Sequence, residues 1–469
     1  MGLTRKMRIA SSIFNSFHGF KGKTYAIAVI MNEARKSIVA STGIELNLPV
    51  RFRGKRFDAL SEPVGLVNLW ALDHRLEPLN AVVKDEPARI NVLLPSLDPK
   101  IIFGGYIAVL NFILRLEERG YRVRIIICEE VALNEAQVRV SCESSRLANA
   151  VLQKAELLVA HDRREEVAVS AEDVFVGYSW LTMRMASMAA QRTNDKLPIF
   201  FIQEFEAIFH HYDSFHALCI ATYRLPHFAL YNSRLLTRFF EREELSVFDA
   251  QNQAFEKEHK YEYFTHAISD IRTPSLEKII NREKKKLLYY ARPEAHAGRN
   301  IFEIGILALR EAIVNGVFDD TWEFYGIGSL ALHDELELPN DAVMKILPRV
   351  TLEEYCEMMS DFDVGIALMY APHPSVPPFE MAAAGMLTVT TTFGSRTPED
   401  VESISKNLIA VNPDPNSVAD GIRKAVERVE DYQQRIDNAK FDCPRDWGES
   451  FSDELMERLV DVLPSDKPN

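Results

Sequence analysis

The feature that most constrains this chain is a run of five residues, Ile90-Asn91-Val92-Leu93-Leu94, followed by paired glycines at Gly104-Gly105 and an amphipathic stretch from Tyr106 to Arg119. Gly120 then ends the helical periodicity, and Tyr121 to Cys128 reads as a second strand. A mostly apolar run too short for a helix, joined to another by a helix, is a βαβ unit, which requires a parallel sheet covered on both faces. The pattern repeats. Val174-Phe175-Val176 precedes the apolar helix Leu181 to Ala190, Ile199-Phe200-Phe201-Ile202 is a buried strand, and Phe228-Ala229-Leu230-Tyr231 precedes Ser233, a helix cap.

The charged stretch from Pro274 to Lys286 reads as a linker to a second α/β unit. That unit begins with the strand Leu287 to Tyr290 and the helix Ile301 to Asn315. It continues with strands at Trp322 to Tyr325, Asp363 to Leu368 and Leu387 to Thr391 and a helix near Val418 to Arg435. The expected organisation is a basic N-terminal extension (1–86), a first Rossmann-like domain (87–273), a second (274–446), and a C-terminal helix (447–469) returning to the first. Two doubly wound units facing each other hold a ligand in the cleft at the carboxyl ends of their strands.

The bulk properties exclude several classes. A net charge of -14 argues against nucleic acid as a partner. Five scattered cysteines form no zinc-type spacing and suit a cytoplasmic protein with reduced thiols. No run approaches the roughly 20 apolar residues of a membrane helix, and the start lacks a secretory pattern. The first sixty residues nevertheless carry eleven basic side chains against three acidic ones. This region is either a solvated extension or a peripheral contact with the inner membrane face and a lipid-linked acceptor.

The chemistry concentrates in Pro372-His373-Pro374-Ser375-Val376-Pro377-Pro378-Phe379-Glu380-Met381-Ala382. The prolines fix a helix start and Glu380 falls in its first turn. There it either caps its own helix or, with the amides of Ser375 and Val376, helps grip a nucleoside diphosphate. Arg292 follows a strand, and Arg299 with Asn300 opens a helix. As a guanidinium pair they could neutralise a diphosphate without a metal, or lie in a surface loop. Gln203, Glu204 and Glu206 lie just past a buried strand, where carboxylates are costly unless they face a cleft.

This segment resembles the second half of the Glu-x7-Glu signature of the retaining GT-B glycosyltransferases. It is still more similar to the WsaF family of bacterial rhamnosyltransferases, on the residues quoted and on Phe201 to Glu206 and Tyr290-Ala291-Arg292-Pro293. The resemblance implies a GT-B fold and assigns Glu380 to the donor ribose and Arg292 and Arg299 to the leaving diphosphate. It also places Gly104 and Gly105 at the phosphate or sugar, and Tyr325, Gly326, Pro348, Arg349 and Val350 around the nucleobase, with Pro377 in the phosphate turn. Glu204 and Glu206 are candidates for sugar or acceptor contacts. Pro372 stands where the first glutamate of the signature would fall, which suits a deoxysugar donor.

The expectation is transfer of a deoxyhexose, L-rhamnose first, from a dTDP-sugar to a saccharide or lipid-linked bacterial glycan, with retention and without metal or cofactor. The rivals are a nucleotide-sugar epimerase of the same fold and a catalytically silent sugar-nucleotide-binding scaffold. Asp361-Phe362-Asp363 looks like a metal-binding Asp-x-Asp motif, but its place before a buried strand marks it as structural.

Overall fold

The computed structural model describes residues 72–465, apart from 74, 103, 130–132, 194–195, 251–259, 330–334, 349 and 395. The basic segment and the expected base contact Arg349 therefore lie outside the described residues. The strands are β1 (Asn80–Val83), β2 (Ile90–Leu94), β3 (Val123–Ile127), β4 (Glu156–Val159), β5 (Glu166–Val169), β6 (Val174–Gly177), β7 (Ile199–Ile202), β8 (Phe228–Asn232) and β9 (Tyr261–Phe264). After the linker come β10 (Lys285–Tyr290), β11 (Trp322–Ile327), β12 (Glu335–Glu337), β13 (Val343–Ile346), β14 (Val364–Ile366), β15 (Leu387–Thr391) and β16 (Leu408–Val411).

Two seven-stranded sheets result, ordered β4-β3-β2-β6-β7-β8-β9 and β12-β13-β11-β10-β14-β15-β16. Every neighbouring pair is parallel except β12 with β13. The all-buried β2, β3, β7, β8 and β15 occupy interior positions with helices on both faces, which is why the first four read as mostly apolar runs, while β15 buries three threonines. In each sheet the earliest strand has later ones on both sides, so the order reverses between β2 and β6 and between β10 and β14. Crevices at those points are where such sheets hold ligands. β1 pairs with β5 in a separate two-stranded sheet, giving the end of the expected extension a fixed place.

Four expectations on local structure change. Gly104 and Gly105 are the first residues of helix α1 (Gly104–Glu118), because its first turn packs against the strand ends. The single helix expected near 418–435 is two, α2 (Pro415–Glu427) and α3 (Tyr432–Asn438), the second folding back so that Arg435 becomes fully buried. The linker contains a short helix, Leu276–Ile280, and Lys285 and Lys286 already belong to β10. The C-terminal helix is three short pieces whose Phe451, Leu455, Met456, Leu459 and Leu463 enter the core of the first sheet.

Asp363 joins β10 to β14. Its carboxylate accepts from Arg435 Nη2 and the Lys286 amide, both at 3.0 Å, and from Arg282 Nη1. Asp361 pairs with Lys278 at 2.6 Å. Both acids of the Asp-x-Asp triplet are thus engaged by cations. Removing one partner of a buried ion pair leaves the other uncompensated, so Asp363→Ala is expected to reduce stability by about 3–5 kcal/mol. Urea unfolding monitored by circular dichroism measures this; an unchanged midpoint would contradict the structural role.

Candidate active site

Two loops at the β10–β14 reversal form one wall of the cleft. The first runs from Ala291 to Ile301, where Ile301 takes a left-handed conformation (φ 40°) to start the helix Phe302–Val314. The second follows β14. Tyr370 N donates to Arg299 O at 2.7 Å, and Asn300 Nδ2 to Leu368 O at 3.2 Å, so the loops are laced together. Arg396, itself buried, fixes the second loop. It donates to the carbonyls of Met369 and Thr391 at 2.8 Å, Ala371 at 2.9 Å and Pro372 at 3.1 Å. Burial pulls its guanidinium down to about 10, still well above neutrality. Four neutral acceptors, with the more distant charge of Glu204, offset the desolvation of this cation. Ser375 is also left-handed (φ 68°), and its amide donates to His373 Nδ1 at 3.1 Å, so it is not free for a phosphate. Burial keeps His373 neutral.

The opposite wall comes from the first sheet. Glu204 leaves β7 with its side chain almost fully enclosed. Its Oε2 accepts from Arg299 Nη1 at 3.0 Å, and its Oε1 from the His373 amide at 3.2 Å and the Phe205 amide at 3.0 Å. Burial raises its pKa, opposed mainly by Arg299. Arg299 stacks over Phe209 at 4.4 Å, and its buried Nε has no partner. Gly105 permits the close approach of α1: a Cβ there would lie 2.6 Å from Tyr178 Oη and 3.4 Å from Gln203 Cγ. Between the two sheets lies a cavity of about 250 Å³ lined by Ser233, Arg234, His266, His373, Ser375 and Phe379 among others.

The structure thus brings together Gly105, Gln203, Glu204, Arg299 and the Pro372–Ser375 loop. Other candidates are engaged differently. Arg292 donates to Glu294 at 2.9 Å, Tyr290 Oη at 3.0 Å and His296 at 3.0 Å, which uses three of its five N–H donors. Glu380 opens the helix Pro377–Ala383, but it bridges outward rather than capping it. Its Oε1 accepts from the Ser269 amide at 3.0 Å and the Ser269 hydroxyl at 2.5 Å, and its Oε2 from Tyr355 Oη at 2.8 Å. A carboxylate has about four lone-pair sites, so one remains for a ligand hydroxyl. Gly326 is corrected: it pairs with Tyr289 and Ile346 inside the sheet, where its backbone is spent on the ladder. Tyr325 donates to Glu323 at 2.8 Å, while Pro348 is exposed and Val350 half-buried.

Glu206 has one carboxyl oxygen engaged at a helix start. Its Oε2 accepts the Trp180 amide at 2.9 Å, one of the free first-turn N–H groups of the helix Trp180–Ala190, whose cap is Ser179. Arg396, His373, Ser269, Tyr355 and Asn232 escaped sequence reasoning as site residues. Only His373 stood inside a recognisable motif; the others act through contacts distant in the chain.

Burial pushes the Glu206 carboxyl up to about 8. The folded state therefore keeps its proton from the ordinary carboxyl range up to that value, while the unfolded chain has lost it, so this group's effect on stability becomes less favourable as pH rises across that window. Glu206→Gln retains the acceptor without the titration. Its melting temperature is expected to match wild type at pH 4 and to exceed it by roughly 5 °C at pH 8. Melting curves with a pH-independent difference would refute this.

A family model described as WsaF, N-terminal domain, matches residues 89–234, and one described as WsaF, C-terminal domain, matches residues 285–423, together more than half of the chain. No curated protein matches. Among solved structures, Anabaena HepE in complex with UDP is similar at 12% identity over 80% of this chain and 100% of that one, with a TM-score of 0.52. WaaG, a glycosyltransferase of lipopolysaccharide biosynthesis, has 13% identity, the same coverages and a TM-score of 0.47. Sucrose-phosphate synthase from Thermosynechococcus elongatus has 12% identity, covers 80% of this chain and 95% of that one, and has a TM-score of 0.47. At such identities the likeness to HepE is one of fold.

Proposed function

The chain belongs to the WsaF family and is a glycosyltransferase of GT-B fold, and we propose that it transfers a deoxyhexose, L-rhamnose in first place, from dTDP to a bacterial surface glycan. The observation that carries this reading is the match of both WsaF domains, one to each sheet, with the arginine-bearing loops at the cleft between them. The donor nucleotide would lie against the second domain, with its ribose on the remaining lone pair of Glu380 and its diphosphate between Arg292, Arg299 and the α1 glycines. The acceptor hydroxyl attacks the anomeric carbon from the face that the diphosphate leaves. The bond from that carbon to the β-phosphate oxygen breaks, and the hydroxyl proton passes to the departing phosphate, so configuration is retained. Arg299, with its unpartnered Nε and its guanidinium aligned by Glu204, supplies charge stabilisation that is already in place before the reaction.

We place Glu204 as the positioning residue of Arg299; Glu206, whose Oε2 accepts the Trp180 amide, stays a candidate for contacts to the sugar or acceptor through its other oxygen. The acceptor is a saccharide or lipid-linked glycan, reached from the cytoplasmic side with peripheral contact through the basic extension. Among the described residues no helix is long and apolar enough to cross a membrane.

A donor screen by product mass tests the assignment: dTDP-rhamnose and a set of UDP-sugars, each with and without a glycan acceptor, in EDTA. Acceptor-dependent transfer of a deoxyhexose is expected. An epimerised donor without acceptor, or binding without turnover, would replace this reading by an epimerase or a silent scaffold. Glu380→Gln is expected to weaken dTDP binding at least tenfold by calorimetry, since a neutral amide loses charge-assisted bonds to the ribose; unchanged affinity would remove Glu380 from the nucleotide site.

A further inference from the structure

Gln203 directly follows β7 and Asn232 is the last residue of the neighbouring strand β8, one step beyond the Ile202–Tyr231 pair. Asn232 Nδ2 donates to Gln203 Oε1 at 2.9 Å and lies 3.2 Å from His266 Nδ1. The other halves of these amides, Gln203 Nε2 and Asn232 Oδ1, are buried and have no partner, and Asn232 as a whole is only 3% exposed. Buried polar atoms of native proteins are normally satisfied, so two adjacent exceptions require an explanation. Amide orientation does not supply one. Rotating both amides reverses their mutual bond yet again leaves one N–H and one carbonyl oxygen free, and rotating only one sets like atoms against each other.

The surroundings fit a ligand. Gly105 lets the first turn of α1 pack directly against Gln203 and Tyr178, and a Cβ on Gly104 would stand 3.9 Å from the His266 ring. His266 also lines the 250 Å³ cavity between the domains. The next residue along β7 is Glu204, which holds Arg299. The free pair consists of one neutral donor and one neutral acceptor, held at fixed spacing by their mutual bond. A phosphate would satisfy the donor but set its charge against the free carbonyl oxygen. Two neighbouring hydroxyls satisfy both, one accepting and the other donating.

We propose that the Gln203–Asn232 pair is a subsite that reads adjacent hydroxyls of a sugar ring, with Asn232 as a specificity-determining residue. The inference rests on the glycosyltransferase reading above. The diol belongs either to the transferred sugar or to the acceptor glycan, and the two sources separate experimentally.

The full-length chain carrying Asn232→Leu is titrated with dTDP and with dTDP-rhamnose, and initial rates are measured against acceptor concentration. Affinity for dTDP is expected to stay within about twofold of wild type. If the diol is the donor's, dTDP-rhamnose affinity falls roughly tenfold, the loss of one or two hydrogen bonds. If it is the acceptor's, donor affinity holds and the acceptor KM rises by a similar factor. Gln203→Met, nearly isosteric, should reproduce the same pattern and serves if the first variant does not fold. Equal losses for dTDP and dTDP-rhamnose, or no change in any constant, would overturn the subsite. Failure of the wild-type chain to bind either nucleotide would instead overturn the reading beneath it.

Discussion

Glu204 is the point at which the two halves of the molecule become one site. Its carboxylate sits at the end of a fully buried strand and reaches across the cleft to Arg299 Nη1 and the His373 amide, which belong to the two loops of the second sheet's reversal point. A carboxylate in so dry a place would be neutral or displaced without these partners, because desolvation raises its pKa while Arg299 lowers it. The contact therefore cannot be lost piecemeal. Removing Arg299 while the cleft stays shut would leave the enclosed Glu204 carboxylate without its cation, which is strongly destabilising.

The second domain is built so that its loops can meet Glu204 in a fixed geometry. Arg396 binds four carbonyls around Met369 to Pro372 and Thr391 from inside the fold. With their oxygens turned inward to this cation, these peptide units are held in one arrangement. Asp363, held by Arg435 and Arg282, does equivalent work at the opposite end of β14. Buried charge in this domain thus serves conformation, and the ends of one short strand, Val364–Ile366, are fastened by ionic groups on both sides.

Much of the fold was legible because its causes are local. Ile199 to Ile202 has the bounds its apolar run implies, and Leu387 to Thr391, rich in β-branched residues, has the bounds its pattern implies. Ser233 was read as a cap, and its hydroxyl accepts from Leu236 N. What failed locally did so where packing overrode the pattern. The amphipathic run across Arg428 breaks so that α3 can fold back and bury Arg435 against Asp363, 72 residues earlier. The glycines before Tyr106 join a helix because that helix must start against Tyr178 and Gln203.

For the site, the sequence by itself determined which side chains stand at strand ends and helix starts: Gln203, Glu204, Arg292, Arg299 and Glu380 all lie where backbone periodicity put them. It could not determine their partners. Whether Glu204 or Glu206 faces Arg299, whether Glu380 caps a helix or bridges to Ser269 and Tyr355, and whether Gln203 meets Asn232 all depend on which strands become neighbours and how the two sheets face each other. Periodicity is set within a few residues along the chain, whereas these bonds span up to 111 residues and exist only once burial has excluded water from the cleft.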